Sequence, residues 1–413
     1  MTAELTVEIT ALGNGVGGVA RREGRKTVFV RGALPGEKII CSPSKEKKNL
    51  IYAELTEVLA PSRHRIEPFC GYYSMCGGCS LQHLDYSRQL HWKKQWLSRA
   101  LGRMELDTSC VAGDTAASRK TKAYRNRVSF DVTGGRPGLH RYRGDTFPVK
   151  NCPLLNSTAS RGMKLINDSD LAGCARVSVR GSDRTGMWML EFFGRPTSGT
   201  PRSGEKGTVA VREKGRWHTE PKDPRYTQTA CGFRYDVEPG TFFQVNADGA
   251  DIVIDKILQL TEGAGRVLDL YGGCGTFALP IAARGAYVRS VELNSRSSEA
   301  GSRAAAEYGL QTIDFSAGRV RHRLLETVRN GEAWDAVVLD PPRGGLGVRV
   351  ARLLRRVQTD IVVYVSCNPF SLARDLSILV KGGWTVAGAW PVDMFPQTDH
   401  LETVAYLTRK EGK

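Results

Sequence analysis

No stretch of about 18 consecutive apolar residues occurs in the 413-residue chain, which argues against a membrane-spanning helix. The first residues also lack the basic and apolar regions of an export signal. Met1 to Ile9 alternates apolar and polar residues instead, the pattern of a strand. Internal repeats and long low-complexity tracts are missing, so a repeat array is not expected. Acidic residues are in deficit, 43 against 59 lysines and arginines, for a net charge of +16. That surplus concentrates polyanions near the surface and favours a nucleic-acid partner, the alternative being a merely basic enzyme. Ten cysteines without an export signal point to metal or catalytic roles, not to a disulfide framework, and to the cytoplasm. No obligate protein partner is implied.

The length calls for two or three domains. Residues 1–59 carry short alternating strands punctuated by glycine, at Leu5–Ile9, Lys26–Arg31, Glu37–Cys41 and Ile51–Leu55, and suggest a small barrel. Its basic residues (Arg21, Arg22, Arg25, Lys45, Lys47 and Lys48) cluster in loops, as a surface that follows a nucleic-acid backbone requires. Residues 60–235 have mixed periodicity. A helix is expected over Asp85–Gly102, with Leu90, Trp96, Leu97 and Leu101 at helical spacing, and a loop over Thr197–Gly207. From 236 to 413 apolar strands alternate with amphipathic helices, which is the pattern of a doubly wound α/β domain with ligands at the carboxyl ends of its strands.

Several motifs fall at those strand ends. Asp269-Leu-Tyr-Gly-Gly-Cys-Gly-Thr-Phe277 runs from a strand into a glycine turn, through Tyr271 and Gly273, where a backbone can approach a ligand closely. Glu292 ends the next strand, placed to accept the ribose hydroxyls of a nucleoside cofactor. The strict G-x-G-x-x-G spacing of a dinucleotide fold is absent, and the motif looks like that of S-adenosylmethionine-dependent methyltransferases. Asp340-Pro-Pro-Arg-Gly344 must leave its sheet at the prolines, which sets Asp340 at the mouth of the site. It differs from the Asn-Pro-Pro-Tyr type associated with amino-group methylation of adenine. In Val363-Tyr-Val-Ser-Cys-Asn-Pro369, Cys367 stands between a strand and a helix, whose dipole is expected to lower the thiol pKa. Asp393-Met-Phe-Pro-Gln-Thr-Asp-His-Leu-Glu402 opens the last strand and offers Glu402 or His400 as a general base. Cys70, Cys76, Cys79 and Cys152 suit zinc or an iron–sulfur cluster, the five-residue gap and the Cys-Pro pair favouring the cluster. Between Ser118 and Gly144, Arg119, Lys120, Lys122, Arg125, Arg127, Arg136, Arg141 and Arg143 interleave with Tyr124, Phe130 and Tyr142. Such a mixture suits phosphates and unstacked bases.

Taken together these residues resemble the RNA 5-methyluridine methyltransferase family over nearly the whole chain, with Val-Ser-Cys-Asn-Pro and Phe-Pro-Gln-Thr-x-His-x-Glu the most specific motifs. The resemblance implies a Rossmann-like S-adenosylmethionine-dependent methyltransferase domain, an N-terminal oligonucleotide-binding-like barrel of the TRAM type, and a small α+β domain carrying a [4Fe-4S] cluster on the four cysteines. It implies Cys367 as nucleophile, Glu402 as base, and Gln244, Tyr271, Gly273, Glu292 and Asp340 at the cofactor. Phe242 in Thr241-Phe-Phe-Gln-Val-Asn246 would contact the target base. Barrel and cluster together match the branch acting on large-subunit (23S) ribosomal RNA. Methylation of transfer RNA, methylation of cytidine, and non-catalytic RNA binding are the alternatives. Position 272 is Gly where the family often has Cys, a change expected to be harmless.

Overall fold

The computed structural model describes residues 4–21, 26–142, 144–197, 199–222 and 226–409. Arg22, Arg25 and Arg143 of the expected basic surface lie outside them. No helix among the described residues is long and apolar enough to cross a membrane.

Six strands make the first sheet, in spatial order Leu5–Glu8, Lys38–Lys47, Leu50–Ala60, Thr27–Arg31, Gly17–Ala20 and Ala11–Gly13. Its two outermost strands are consecutive in sequence, so the sheet must curl to bring them together. The enclosed core is Val7, Ile9, Val28, Val30, Ile39, Cys41 and Ala53. Two short strands at 11–13 and 17–20 were not legible in advance, because three or four residues give too little alternation to read.

The Tyr86–Gly102 helix follows, capped by Asp85, whose side chain accepts from the Arg88 amide. A second sheet of seven strands runs Arg216–Glu220, Gly207–Glu213, Trp188–Phe193, Arg176–Gly181, Arg127–Thr133, Arg136–His140 and Thr146–Pro148. The Ser157–Asn167 helix packs on it, with Ala159, Met163 and Ile166 buried.

The third sheet positions the chemistry. Its order is Ile313–Ala317, Tyr287–Glu292, Arg266–Leu270, Ala336–Leu339, Ile361–Ser366, Glu402–Arg409 and Trp384–Val392. The first five strands are parallel, and the last two pair antiparallel. Both faces are covered, giving two apolar clusters, one around Val267, Val338 and Val363 and the other around Leu268, Val337 and Val362. That double burial explains the unbroken apolar runs of these strands. Strand order reverses at Arg266–Leu270, from which the chain crosses first to one neighbour and later to the other. Ligands of such sheets bind at this switch point. This is a doubly wound α/β fold with an antiparallel pair at one edge.

Candidate active site

Four of the sequence motifs end on one edge of the third sheet. Leu270 pairs with Leu339 in parallel register, so Tyr271 and Asp340 leave their strands side by side, and the Asp340 amide still donates to the Leu270 carbonyl at 3.3 Å. Because the 402–409 strand runs the other way, its first residue meets the same edge. Ser366 pairs with Thr403, which sets Cys367 and Glu402 one step further out on adjacent strands.

Turn geometry follows from the residues. Tyr271 has φ +63°, unusual for a side chain of that size. A Cβ on Gly272 would lie 2.0 Å from Ser290 Oγ and 2.4 Å from Asp269 Oδ2. Ser290 and Asp269 are hydrogen-bonded there at 2.8 Å. A side chain at 272 would therefore have to displace the Ser290–Asp269 pair. Gly273 donates its amide to Glu292 Oε2 at 3.1 Å, and the Asn294 amide donates to Oε1 at 2.7 Å. Glu292 thus sits beside the glycine turn at the end of its strand. Gln244 donates to Asp340 Oδ2 at 3.0 Å, while Asn126 holds the Gln244 carbonyl at 2.8 Å. Phe242, two residues earlier, is 61% exposed, unusual for a large apolar ring.

The electrostatics are those of buried acids. Burial, then the charge of Asp340, pushes Glu402 well above the usual carboxylate range. Its Oε1 is buried with no hydrogen-bond partner among the described residues. Asp340 is pushed up to about 7 by burial and by Asp269, and Asp269 to about 7 by burial and by Glu292. The Cys367 thiol corrects the expectation from the helix dipole. Cys367 does precede the Pro369–Val380 helix, yet burial and the carboxyls of Glu402 and Asp340 push it up to about 12, against a smaller opposing effect of Arg343. His400 is lowered by burial. Its Nδ1 lies 3.4 Å from Arg343 Nη2, and its ring edge meets Phe395. Arg343 in turn accepts from Asn368 Nδ2 and Ser371 Oγ at its carbonyl, tying the Asp340 turn to the Cys367 turn.

Residues that carried no chemical signature hold these pieces in place. Lys93, fully buried in the 86–102 helix, pairs with Asp393 at 2.5 Å and donates to the Phe395 carbonyl at 3.0 Å. Gln89 donates to Gln397 Oε1 at 3.0 Å and accepts from its amide. Both share the buried face of that helix with Trp92, Trp96 and Leu97. Polar residues at core-facing helical positions were the overlooked signal. On the second sheet, buried Arg180 and Glu191 form a two-pronged pair at 3.0 and 3.1 Å. Arg180 also donates to the Thr241 carbonyl, and Glu191 accepts from the Gly240 amide at 2.6 Å. The pair therefore grips the segment presenting Phe242 and Gln244.

The expected basic and aromatic surface is corrected in part. Arg119, Lys120, Lys122, Arg136 and Arg141 are exposed, but Arg127 turns inward to Glu191 at 3.4 Å. Phe130 is fully buried, and Tyr124 is buried with its hydroxyl donating to the Pro396 carbonyl. Neither ring can stack a base, because each fills a core.

Cys70, Cys76, Cys79 and Cys152 form no disulfide and share one neighbourhood. Burial pushes the Cys79 thiol up to about 12, and Cys152, Cys76 and Cys70 add to the shift. Sulfur acceptors are already served: Gly78 donates its amide to Cys76 Sγ at 3.3 Å, and the Leu154 and Leu155 amides bear on Cys152. Among the described residues no group of three or more potential ligands is arranged to hold a single metal ion.

Comparison with known proteins agrees with this architecture. Residues 228–410 match the family model "tRNA (Uracil-5-)-methyltransferase". An uncharacterized RNA methyltransferase of Gloeobacter violaceus is 32% identical over 98% of this chain and 96% of its own length. Another, of Caldanaerobacter subterraneus, is 30% identical over 98% and 97%. The crystal structure of Pyrococcus abyssi tRNA (uracil-54, C5)-methyltransferase with S-adenosyl-L-homocysteine superposes with a TM-score of 0.79 at 24% identity, covering 98% of this chain and all of that one. The full-length relatives show that this chain belongs to the RNA methyltransferase family they form and is an RNA methyltransferase, with its 228–410 segment matching the uracil-5 model.

Proposed function

We propose that this enzyme methylates carbon 5 of a uridine in large-subunit ribosomal RNA through a covalent adduct on Cys367. The observation that carries the chemistry is the register that sets Cys367 and Glu402 on adjacent strands at the switch-point edge, with Asp340 beside them. Carbon 5 of uracil is a poor nucleophile. Addition of the Cys367 thiolate to carbon 6 makes it enolate-like, so that it can take up a methyl group. The Gly273 turn and Glu292 would hold S-adenosylmethionine, which would supply that methyl from its sulfonium, giving S-adenosylhomocysteine. Glu402 then removes the proton from carbon 5, and expulsion of the thiolate restores the ring double bond. Asp340 and Gln244 orient the pyrimidine and cofactor, and Phe242 meets the base as it leaves its stack.

A raised thiol pKa is compatible with this role. A sulfonium brought beside Cys367 favours the ionised thiol, so that nucleophile and methyl donor become reactive together. Glu402, with a buried oxygen that has no partner among the described residues, is better placed as base than His400, whose ring is occupied by Arg343 and Phe395.

Cys70, Cys76, Cys79 and Cys152 would hold a [4Fe-4S] cluster. Backbone amides directed at the Cys76 and Cys152 sulfurs would favour thiolate ligands there. The cluster has no step in the reaction above. Iron and sulfide analysis of anaerobically purified protein tests it, and Cys79→Ser should lose both.

The ribosomal target rests on the four cysteines. Transfer RNA is the second reading, because the fold of a transfer-RNA enzyme covers this chain from end to end, first sheet included. The barrel therefore does not separate the two. Tritium release from RNA labelled at carbon 5 of uridine, on ribosomal and transfer RNA separately, decides both points. Release from ribosomal RNA supports the proposal, and release from transfer RNA alone moves the target. Methyl incorporation without release removes Cys367 from its role.

A further inference from the structure

A cavity of about 330 Å³ lies between the first sheet, the cysteine segment and the 393–402 turn. It falls at the lower end of the range for small-ligand pockets. Arg31 of the first sheet lies with its guanidinium 3.8 Å above the Tyr142 ring, forming a flat cationic layer of the kind on which unstacked bases stack. Behind it, Tyr73 and His83 are hydrogen-bonded through the phenol and Nδ1 at 2.5 Å. His83 is 3% exposed, and its Nε2 has no partner among the described residues. Burial and nearby arginines keep this ring neutral, at about 4. The tautomer decides which of the two donates, and Nε2 correspondingly offers a donor or an acceptor to a polar group of a base. Glu54 and Asp399 complete the wall with carboxylates. They would repel a phosphate but accept from the amino or imino groups of a base. Asp399 also precedes His400 in the turn that ends at Glu402 and is anchored to the first sheet, Asn14 donating to its carbonyl at 2.7 Å. Cys79 is part of the same wall.

We propose that this cavity is a second nucleotide subsite, which takes the base of an unstacked nucleotide of the substrate RNA other than the one methylated. The inference rests on the RNA-methylating reading above and adds a place where the first sheet and the cysteine segment together hold RNA. Binding there fixes the RNA on one side of the 393–402 turn while the target base occupies the catalytic edge.

Full-length holoprotein is irradiated with 4-thiouridine-substituted transcripts of large-subunit ribosomal RNA and of transfer RNA, and the adducted peptides are identified by mass spectrometry. Methylation kinetics are followed in parallel for Arg31→Met and Tyr142→Ala. The expected result is adducts on peptides containing Tyr73 or Tyr142. Both variants should raise KM for RNA roughly tenfold or more, the range for loss of one base-stacking partner, with kcat and S-adenosylhomocysteine binding unchanged. KM within about twofold of the parent in both variants overturns the proposal, as does the absence of adducts on both peptides. If the wild-type protein methylates neither RNA, the same adducts and weakened RNA binding by the two variants still decide for the subsite. That result would count only against the uridine reading.

Discussion

At the scale of the residue, two groups divide the proposed reaction and their variants should fail differently. Cys367→Ala should lower turnover by roughly a thousandfold or more, since the covalent step is left without its nucleophile. Glu402→Gln should form the methylated adduct but release it slowly, so that RNA remains covalently attached in denaturing gels. Release at the parent's rate would take Glu402 out of the role. The acids also set opposite pH trends for stability and activity. Asp269 and Asp340 are both pushed up to about 7 by burial, against about 4 in an unfolded chain. A raised acid pKa contributes stability that is complete below the unfolded value and is lost as pH rises through the folded one. The melting temperature of the ligand-free protein should therefore fall as pH climbs from about 4 to about 7 and level off above, and Asp340→Asn should flatten that fall. Turnover should rise over the same span, because nucleophile and base both act deprotonated. Sequence alone set Cys367, Glu402, Asp340 and Glu292 at strand ends, because each follows, opens or closes a recognisable apolar strand. It misjudged the Cys367 environment because thiol pKa here depends on carboxyls that strand pairing brings in, and pairing is not written in local spacing.

At the scale of the element, the catalytic edge depends on a helix and a sheet remote from it in sequence. Lys93→Met leaves Asp393 buried without its cation, a loss of about 3–5 kcal/mol when one member of a buried pair is removed. Urea denaturation should show that drop, and pairing the change with Asp393→Asn should recover part of it. A single variant no less stable than the parent would mean that water or another cation replaces Lys93. Arg180→Met should release the 238–246 segment and lower kcat/KM for RNA by up to roughly a hundredfold, while S-adenosylhomocysteine affinity changes less. The parallel strands were legible as apolar runs and the 86–102 helix by its periodicity. Tyr124 and Phe130, by contrast, look identical in sequence to base-stacking aromatics; packing reveals them as buried, Phe130 under the second sheet and its helix and Tyr124 against the Pro396 carbonyl.

At the scale of the whole molecule, a net charge of +16 and the exposed Arg119, Lys120, Lys122 and Arg136 imply binding dominated by phosphate contacts. RNA affinity should fall steeply and linearly with salt on a double logarithmic plot, while cofactor affinity stays nearly flat. A shallow RNA slope would shift the weight of recognition to base contacts. The class of the last domain was readable from its strand and helix rhythm. The curled first sheet was readable only in outline, because strands of three or four residues carry little pattern.

The buried pair of Lys93 and Asp393 joins residues separated by 300 positions. At about 5–20 residues per second of synthesis, the lysine emerges roughly 15–60 s before its partner exists. During that interval the growing chain has a helix whose inward face carries a charge with nothing to neutralise it, so the helix cannot settle into its final bed. Gln89 waits equally long for Gln397. Completion of the catalytic edge is thereby tied to synthesis of the 393–402 turn, and a nascent chain stalled before that turn should be a client of chaperones and not a partial enzyme.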